Sequence, residues 1–204
     1  MTPSSAQIRR CLAGLAFLAA AASPAADAAQ PPGYTLERRG DSRDFDFLAG
    51  AWTTVQRRLK ARGVGSHDWD EFPAHLCMTP YLDGIANVDE LFMPTLKRRG
   101  LTLRTFDTAK RQWSIHWVAT PSGRFDPVPV VGGFEGRRGE FYGEDKDGDK
   151  PVKVRFIWES LDRDHARWQQ AFSYDDAHWE TNWTADFTRA DPATLCDQGR
   201  PRGG

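Results

Sequence analysis

Alternation of apolar and polar residues, repeated along most of the chain, is what most limits the folds open to it. Trp113, Ile115, Trp117 and Ala119 alternate with Ser114, His116 and Val118. Val152, Val154, Phe156 and Trp158 alternate with Lys153, Arg155, Ile157 and Glu159. Trp168, Gln170, Phe172 and Tyr174 share one parity, as do Trp179, Thr181, Trp183, Ala185 and Phe187. Successive side chains of an extended strand point to opposite faces, so each set makes one apolar wall. Turn chemistry separates the runs: Asp107-Thr108-Ala109-Lys110, Pro121-Ser122-Gly123, Glu135-Gly136, Asp147-Gly148 and Asp175-Asp176. The pattern predicts an all-β chain of about nine or ten strands joined mostly by short hairpins. A short helical turn is expected near Asp44 to Ala49. So many consecutive antiparallel strands must hide their edges, which an up-and-down barrel does by closing on itself. The eight Trp favour a barrel or deep cup, because each aromatic of this size buries ~150–250 Å² and needs a roomy interior.

The ends of the chain read differently. Arg9 and Arg10 precede an apolar stretch, Cys11 to Ala22, that is too short to span a bilayer. Ala26-Asp27-Ala28 then supplies the small-x-small pattern at which a signal peptidase cuts. Residues 1–28 are expected to be a cleaved leader, and the remainder an exported protein, periplasmic or secreted. Residues 29–43, polar with Pro and Gly, read as a flexible arm. Residues 44–190 read as one β-barrel domain, and residues 191–204 as a tail, loose except where Cys196 ties it down. The formal charge of the whole chain is −1, and loss of Arg9, Arg10 and Asp27 leaves it close to neutral. No basic stripe points to nucleic acid, and no second long apolar segment points to a membrane after cleavage. The composition leaves the oligomeric state open.

Cys11 leaves with the leader, which leaves Cys77 and Cys196. An even pair in an exported chain is expected to form one disulfide. It would staple the tail to an early strand.

The stretch Asp44-Phe45-Asp46-Phe47-Leu48-Ala49-Gly50-Ala51-Trp52 resembles the start of a lipocalin-like (calycin) barrel, in which a Gly-x-Trp closes the floor. Further segments extend the resemblance over Phe45 to Arg189: Asn87 to Glu90, Leu103 to Asp107, Gln112 to Trp117, Glu140 to Asp145, Val154 to Trp158 and Trp179 to Arg189. Together they look like an uncharacterised family of exported bacterial lipocalin-like domains. The resemblance implies a β-barrel holding a small apolar or aromatic ligand, and no settled activity. It also implies that Arg189, after the last strand, lies over Trp52, with Gly50 letting the backbone pass beneath the ring. Gly50, Trp52 and Arg189 are therefore structural candidates. Calycin-type haem binders carry further glycines and a barrel His. Here Thr53-Thr54-Val55 follow the Gly-x-Trp, and His116 lies on the parity opposite Trp113 and Trp117. No cofactor is expected.

The five His at positions 67, 75, 116, 165 and 178 form no His-x-His or His-Glu-x-x-His spacing, so no metal site is signalled. Asp145, Asp147 and Asp149 surround Gly148 as an Asp-Gly hairpin does, without the glycine position or closing Glu of a calcium loop. There is no Gly-x-Ser-x-Gly elbow. The candidates for contact with a ligand are Trp113, Trp117, Trp158, Trp168 and Trp183, with Gln170 and Glu90 as polar groups. Glu90 shares parity with Val88 and Phe92, which points it inward. Arg155, Glu180 and Asn182 fall on the opposite parity and read as outer-wall residues unless a β-bulge swaps their face. The expected function is binding of a small apolar or aromatic molecule. The alternative is a lipocalin-fold enzyme, an isomerase, lyase or hydrolase, using Glu90 with His75, Arg104 or another inward polar group.

Overall fold

The computed structural model describes residues 29–125 and 128–203. The expected leader, residues 1–28, lies outside the described residues. Ten strands follow one another along the chain: β1 Gly50–Leu59, β2 Trp69–Tyr81, β3 Ala86–Met93, β4 Arg98–Asp107, β5 Gln112–Ala119, β6 Val130–Glu135, β7 Arg138–Asp147, β8 Lys150–Ser160, β9 His165–Ser173 and β10 Glu180–Ala190. Each pairs antiparallel with its chain neighbours, and β1 pairs with β10, from Ala51 opposite Ala190 to Arg58 opposite Trp183. The result is a closed up-and-down barrel with no free edge, consistent with a lipocalin-like architecture.

One end is plugged. A 3-10 turn, Asp46–Leu48, leads into β1, and Phe45 just before it is buried in the barrel mouth at that end. The Phe45 ring meets Trp113 and Phe134 edge-on, each at 5.1 Å between centroids, and stacks on Phe141 at 5.7 Å. Asp44 fastens the plug from outside, its Oδ2 accepting from the backbone N–H of Asp41 at 2.8 Å and of Phe134 at 3.3 Å. Trp52 is buried, and its Nε1 donates to the Leu48 carbonyl at 2.8 Å. The Arg189 guanidinium lies 4.1 Å from the centroid of the Trp52 ring. Its Nη1 and Nη2 donate to the carbonyls of Ala49 at 3.0 Å and Phe47 at 2.7 Å. These are the carbonyls of the turn that the chain leaves on its way into β1. Gly50 has φ +102°, a backbone state that a side chain would strain, while a Cβ there would meet nothing closer than 3.6 Å. Its glycine is therefore required by the turn into β1 rather than by closeness to the ring.

Two segments expected to be loose are packed. The arm lies along the outside of the wall: Gly40 donates to the Arg111 carbonyl, Gln112 Nε2 donates to the carbonyls of Leu36 and Arg38, and Trp113 Nε1 donates to the Asp41 carbonyl. Residues of the arm thus satisfy polar groups of β5, which a free arm would leave to water. The tail forms a short helix, α1 Pro192–Leu195, and a two-strand hairpin, β11 Cys196–Asp197 with β12 Arg200–Pro201. Asp191 caps α1 by accepting from the Ala193 N–H. Cys77 of β2 and Cys196 form a disulfide, with 6.1 Å between their Cα atoms. This bond fits an oxidising compartment. Among the described residues, no helix is long and apolar enough to cross a membrane.

Candidate functional site

Inside the barrel, above the plug, lies a cavity of about 250 Å³. Its wall comes from the alternating strand faces. Trp117 of β5, Phe156 and Trp158 of β8, Trp168 and Gln170 of β9, and Trp183 of β10 all line it. The rings pack edge to face rather than flat, with centroids 5.1 Å apart for Phe156 and Trp168, 5.7 Å for Trp168 and Trp183, and 6.4 Å for Trp117 and Trp183. The Trp117 ring occupies the place where a Cβ of Gly100 would sit, 1.9 Å away. Gly100 of β4, diagonal to Trp117 across the β4–β5 pairing, is what admits the indole.

Two of the sequence candidates lie elsewhere. Trp113 is buried in the plugged end, against Phe45 and Phe106, and does not line the cavity. Glu90 points outward, where it forms ion pairs with Arg99 of β4 and, at 3.0 Å, with Arg200 of the tail. The inward residues of β3 are Asn87, Asp89, Leu91 and Met93, all buried. Val88 and Phe92 misled the parity because the outer face of β3 is also covered, in part by Arg99, whose guanidinium lies 4.3 Å from the Phe92 ring centroid. His75, offered as a partner for Glu90, does not line the cavity either.

The buried carboxylate in the cavity is Asp89, 1 % exposed, which forms an ion pair with Arg104 of β4, 2 % exposed, while Glu144, Asp145 and Asp147 line the cavity toward its open end. Arg104 Nη1 also donates to Asn87 Oδ1 at 3.0 Å. The guanidinium lies against two aromatic rings, 4.9 Å from the Phe45 centroid and 5.4 Å from that of Trp158, the rings standing at 88° to each other. Asp89 Oδ1 and Arg104 Nε have no hydrogen-bond partner. A second polar group is hydrogen-bonded at both ends of its amide: Gln56 Oε1 accepts from Trp183 Nε1 and its Nε2 donates to Thr54 Oγ1, both at 2.8 Å. A third follows from a β-bulge. The pairing of β10 with β9 shifts between Thr181 and Trp183, which leaves Asn182 as the extra residue. Asn182 is buried and accepts from Gln170 Nε2 at 2.8 Å. The same bulge removes Trp179 from the Trp183 face; its Nε1 donates to the Pro32 carbonyl of the arm, and Arg155 stacks over its ring on the outside.

At the open end the β1–β2 loop is strapped across the barrel. Arg62 pairs with Asp147 at the end of β7 and lies 5.4 Å from the Phe172 ring centroid. The Gly63 N–H donates to both carboxylate oxygens of Glu180, at 2.9 and 3.1 Å. Tyr174 Oη donates to Asp147 Oδ2 at 2.7 Å. Burial and the neighbouring Asp147 carboxylate push the Tyr174 phenol well above its ordinary range.

Among the described residues, no three His, Cys, Asp or Glu side chains gather as ligands for a metal. The arrangement is a small aromatic chamber with one buried charge pair, closed at one end by a plug and strapped at the other. No protein-family model matches the chain, and no curated protein matches it in sequence.

Proposed function

We propose that this protein is an exported lipocalin-like barrel that binds one small apolar or aromatic molecule in its interior. The observation that carries this reading is the cavity itself, about 250 Å³ lined by Trp117, Trp158, Trp168, Trp183 and Phe156 around the Asp89–Arg104 pair. A mostly apolar chamber with a few fixed polar groups is what small-molecule recognition requires. The disulfide supports export. Native mass spectrometry of the protein purified from its own host is expected to show a bound small molecule. Titration with naphthalene, which offers an aromatic surface and no polar group, is expected to change the tryptophan fluorescence saturably. Absence of both responses would overturn the reading.

One observation keeps the enzyme alternative in a changed form. The buried carboxylate that lines the cavity is Asp89 rather than Glu90, and one of its oxygens has no hydrogen-bond partner among the protein groups. If the protein catalyses an isomerase, lyase or hydrolase reaction, incubation with the co-purified molecule will release a product whose formation stops in Asp89→Asn. A binder returns the molecule unchanged.

A further inference from the structure

Resting on the binding reading above, we propose that the ligand is a compact hydroxylated aromatic, a phenol or fused-ring phenol, whose ring lies among the tryptophans and whose hydroxyl reaches the Asp89–Arg104 pair. Size sets the first limit. A cavity of about 250 Å³ suits one ring or a fused pair rather than a long acyl chain lying wholly inside. The aromatic wall of Trp117, Phe156, Trp168 and Trp183 favours a flat ring, which can stack or meet their edges.

The polar group follows from what the buried pair lacks. Asp89 Oδ1 is an acceptor with no donor, and Arg104 Nε is a donor with no acceptor. Both side chains line the cavity and are almost fully buried. Among the described residues, Asp89 and Arg104 are the cavity-lining side chains with a buried polar atom that has no protein partner, and a charged pair kept in an aromatic interior is a poor way to gain stability. A hydroxyl has the chemistry for either role: its O–H donates to a carboxylate and its lone pairs accept from a guanidinium. A ligand carboxylate would bring a second negative charge against Asp89. A ligand ammonium would satisfy Asp89 but turn a positive charge toward Arg104. An aromatic hydroxyl meets neither repulsion, and its bonds to two ionised partners are of the stronger, charge-assisted kind.

Three probes of one shape separate the possibilities on the wild-type protein, so no variant need fold for the test to count. Binding of naphthalene, 2-naphthol and 2-naphthoate is measured by tryptophan fluorescence and calorimetry. The expected result is that 2-naphthol binds about 10-fold or more tighter than naphthalene, as hydrogen bonds to charged groups provide, and tighter than 2-naphthoate. Asp89→Asn is expected to weaken 2-naphthol more than naphthalene, with circular dichroism reporting separately whether the variant is folded. Equal affinity for naphthalene and 2-naphthol would overturn the phenol assignment and leave the binding reading standing, as would tighter binding of 2-naphthoate. Failure of all three to bind would overturn both.

Discussion

The guanidinium of Arg189 sits 4.1 Å from the centroid of the Trp52 ring and at the same time bonds the carbonyls of Phe47 and Ala49. One side chain thus joins the last barrel strand to the first and to the turn that precedes it. Arg189→Ala removes a cation–π contact and leaves two carbonyls of the plug without their donor. Together these are expected to cost about 2–4 kcal/mol. Arg189→Lys keeps a charge but cannot reproduce the two-pronged geometry, so it is expected to recover only part of the loss. Urea unfolding followed by tryptophan fluorescence measures both, and equal stability of Arg189→Ala and wild type would refute the role.

Gly100→Ala tests the shape of the cavity. The new methyl would overlap the Trp117 ring, so the indole must move from its place. Overpacking of this kind typically costs about 1–3 kcal/mol. The variant is expected to lose most of its naphthalene affinity. Retained affinity would show that Trp117 does not shape the binding space.

The Cys77–Cys196 disulfide closes a long loop, with a sequence separation of 119. On the chain-entropy argument, removing it by the Cys77→Ser, Cys196→Ser double substitution costs at most about 4–5 kcal/mol. The tail keeps the Glu90–Arg200 ion pair, so it is expected to stay near β3 yet become cleavable by trypsin. A tail as resistant as in the oxidised protein would show that the ion pairs alone hold it.

Tyr142 provides a pH signature. Its Oη donates to Glu140 Oε2 at 2.8 Å beneath the arm, and burial, then Glu140, push the phenol up to about 12. A raised pKa in the folded state means that the folded protein holds this proton more tightly than the unfolded chain. The associated stability is fully present below the ordinary tyrosine pKa of about 10 and is lost as pH rises through about 12. Stability measured between pH 9 and 12 is expected to fall in the wild type and to fall less in Tyr142→Phe. Identical slopes would refute the assignment.

Arg62→Ala releases the strap at the open end by removing the ion pair to Asp147. Because the strap covers the cavity without forming its aromatic wall, dissociation and association of naphthalene are both expected to speed up, roughly three- to tenfold, with a smaller change in affinity. Stopped-flow fluorescence separates the two rates. Unchanged rates would mean that the ligand passes elsewhere.

How much of this was legible beforehand varies from strand to strand. On β5, β8 and β9 the inner face is aromatic and the outer face mostly polar, so alternation alone placed Trp117, Trp158, Trp168 and Gln170 against the cavity. On β3 and β4 the rule inverts: Asn87, Asp89, Thr102 and Arg104 point inward and are buried, while Val88, Leu101 and Leu103 point outward. The strands that carry polar groups into the barrel interior are those on which apolar parity misassigns the faces. Trp113 shows a second limit, because parity puts a residue inside the barrel but does not say whether it meets the cavity or the plug.

The chain's own order of residues signalled nine or ten strands and an even pair of cysteines, since period-two alternation, turn residues and cysteine number are local or compositional properties, and the need to hide strand edges favoured a barrel. Only the tertiary structure decided that Asp89 rather than Glu90 faces the interior, that a bulge at Asn182 turns Trp179 outward, and that the arm lies along the wall. Each of these depends on what covers the second face of a strand or on the register between neighbours, and contacts between residues distant in sequence set both.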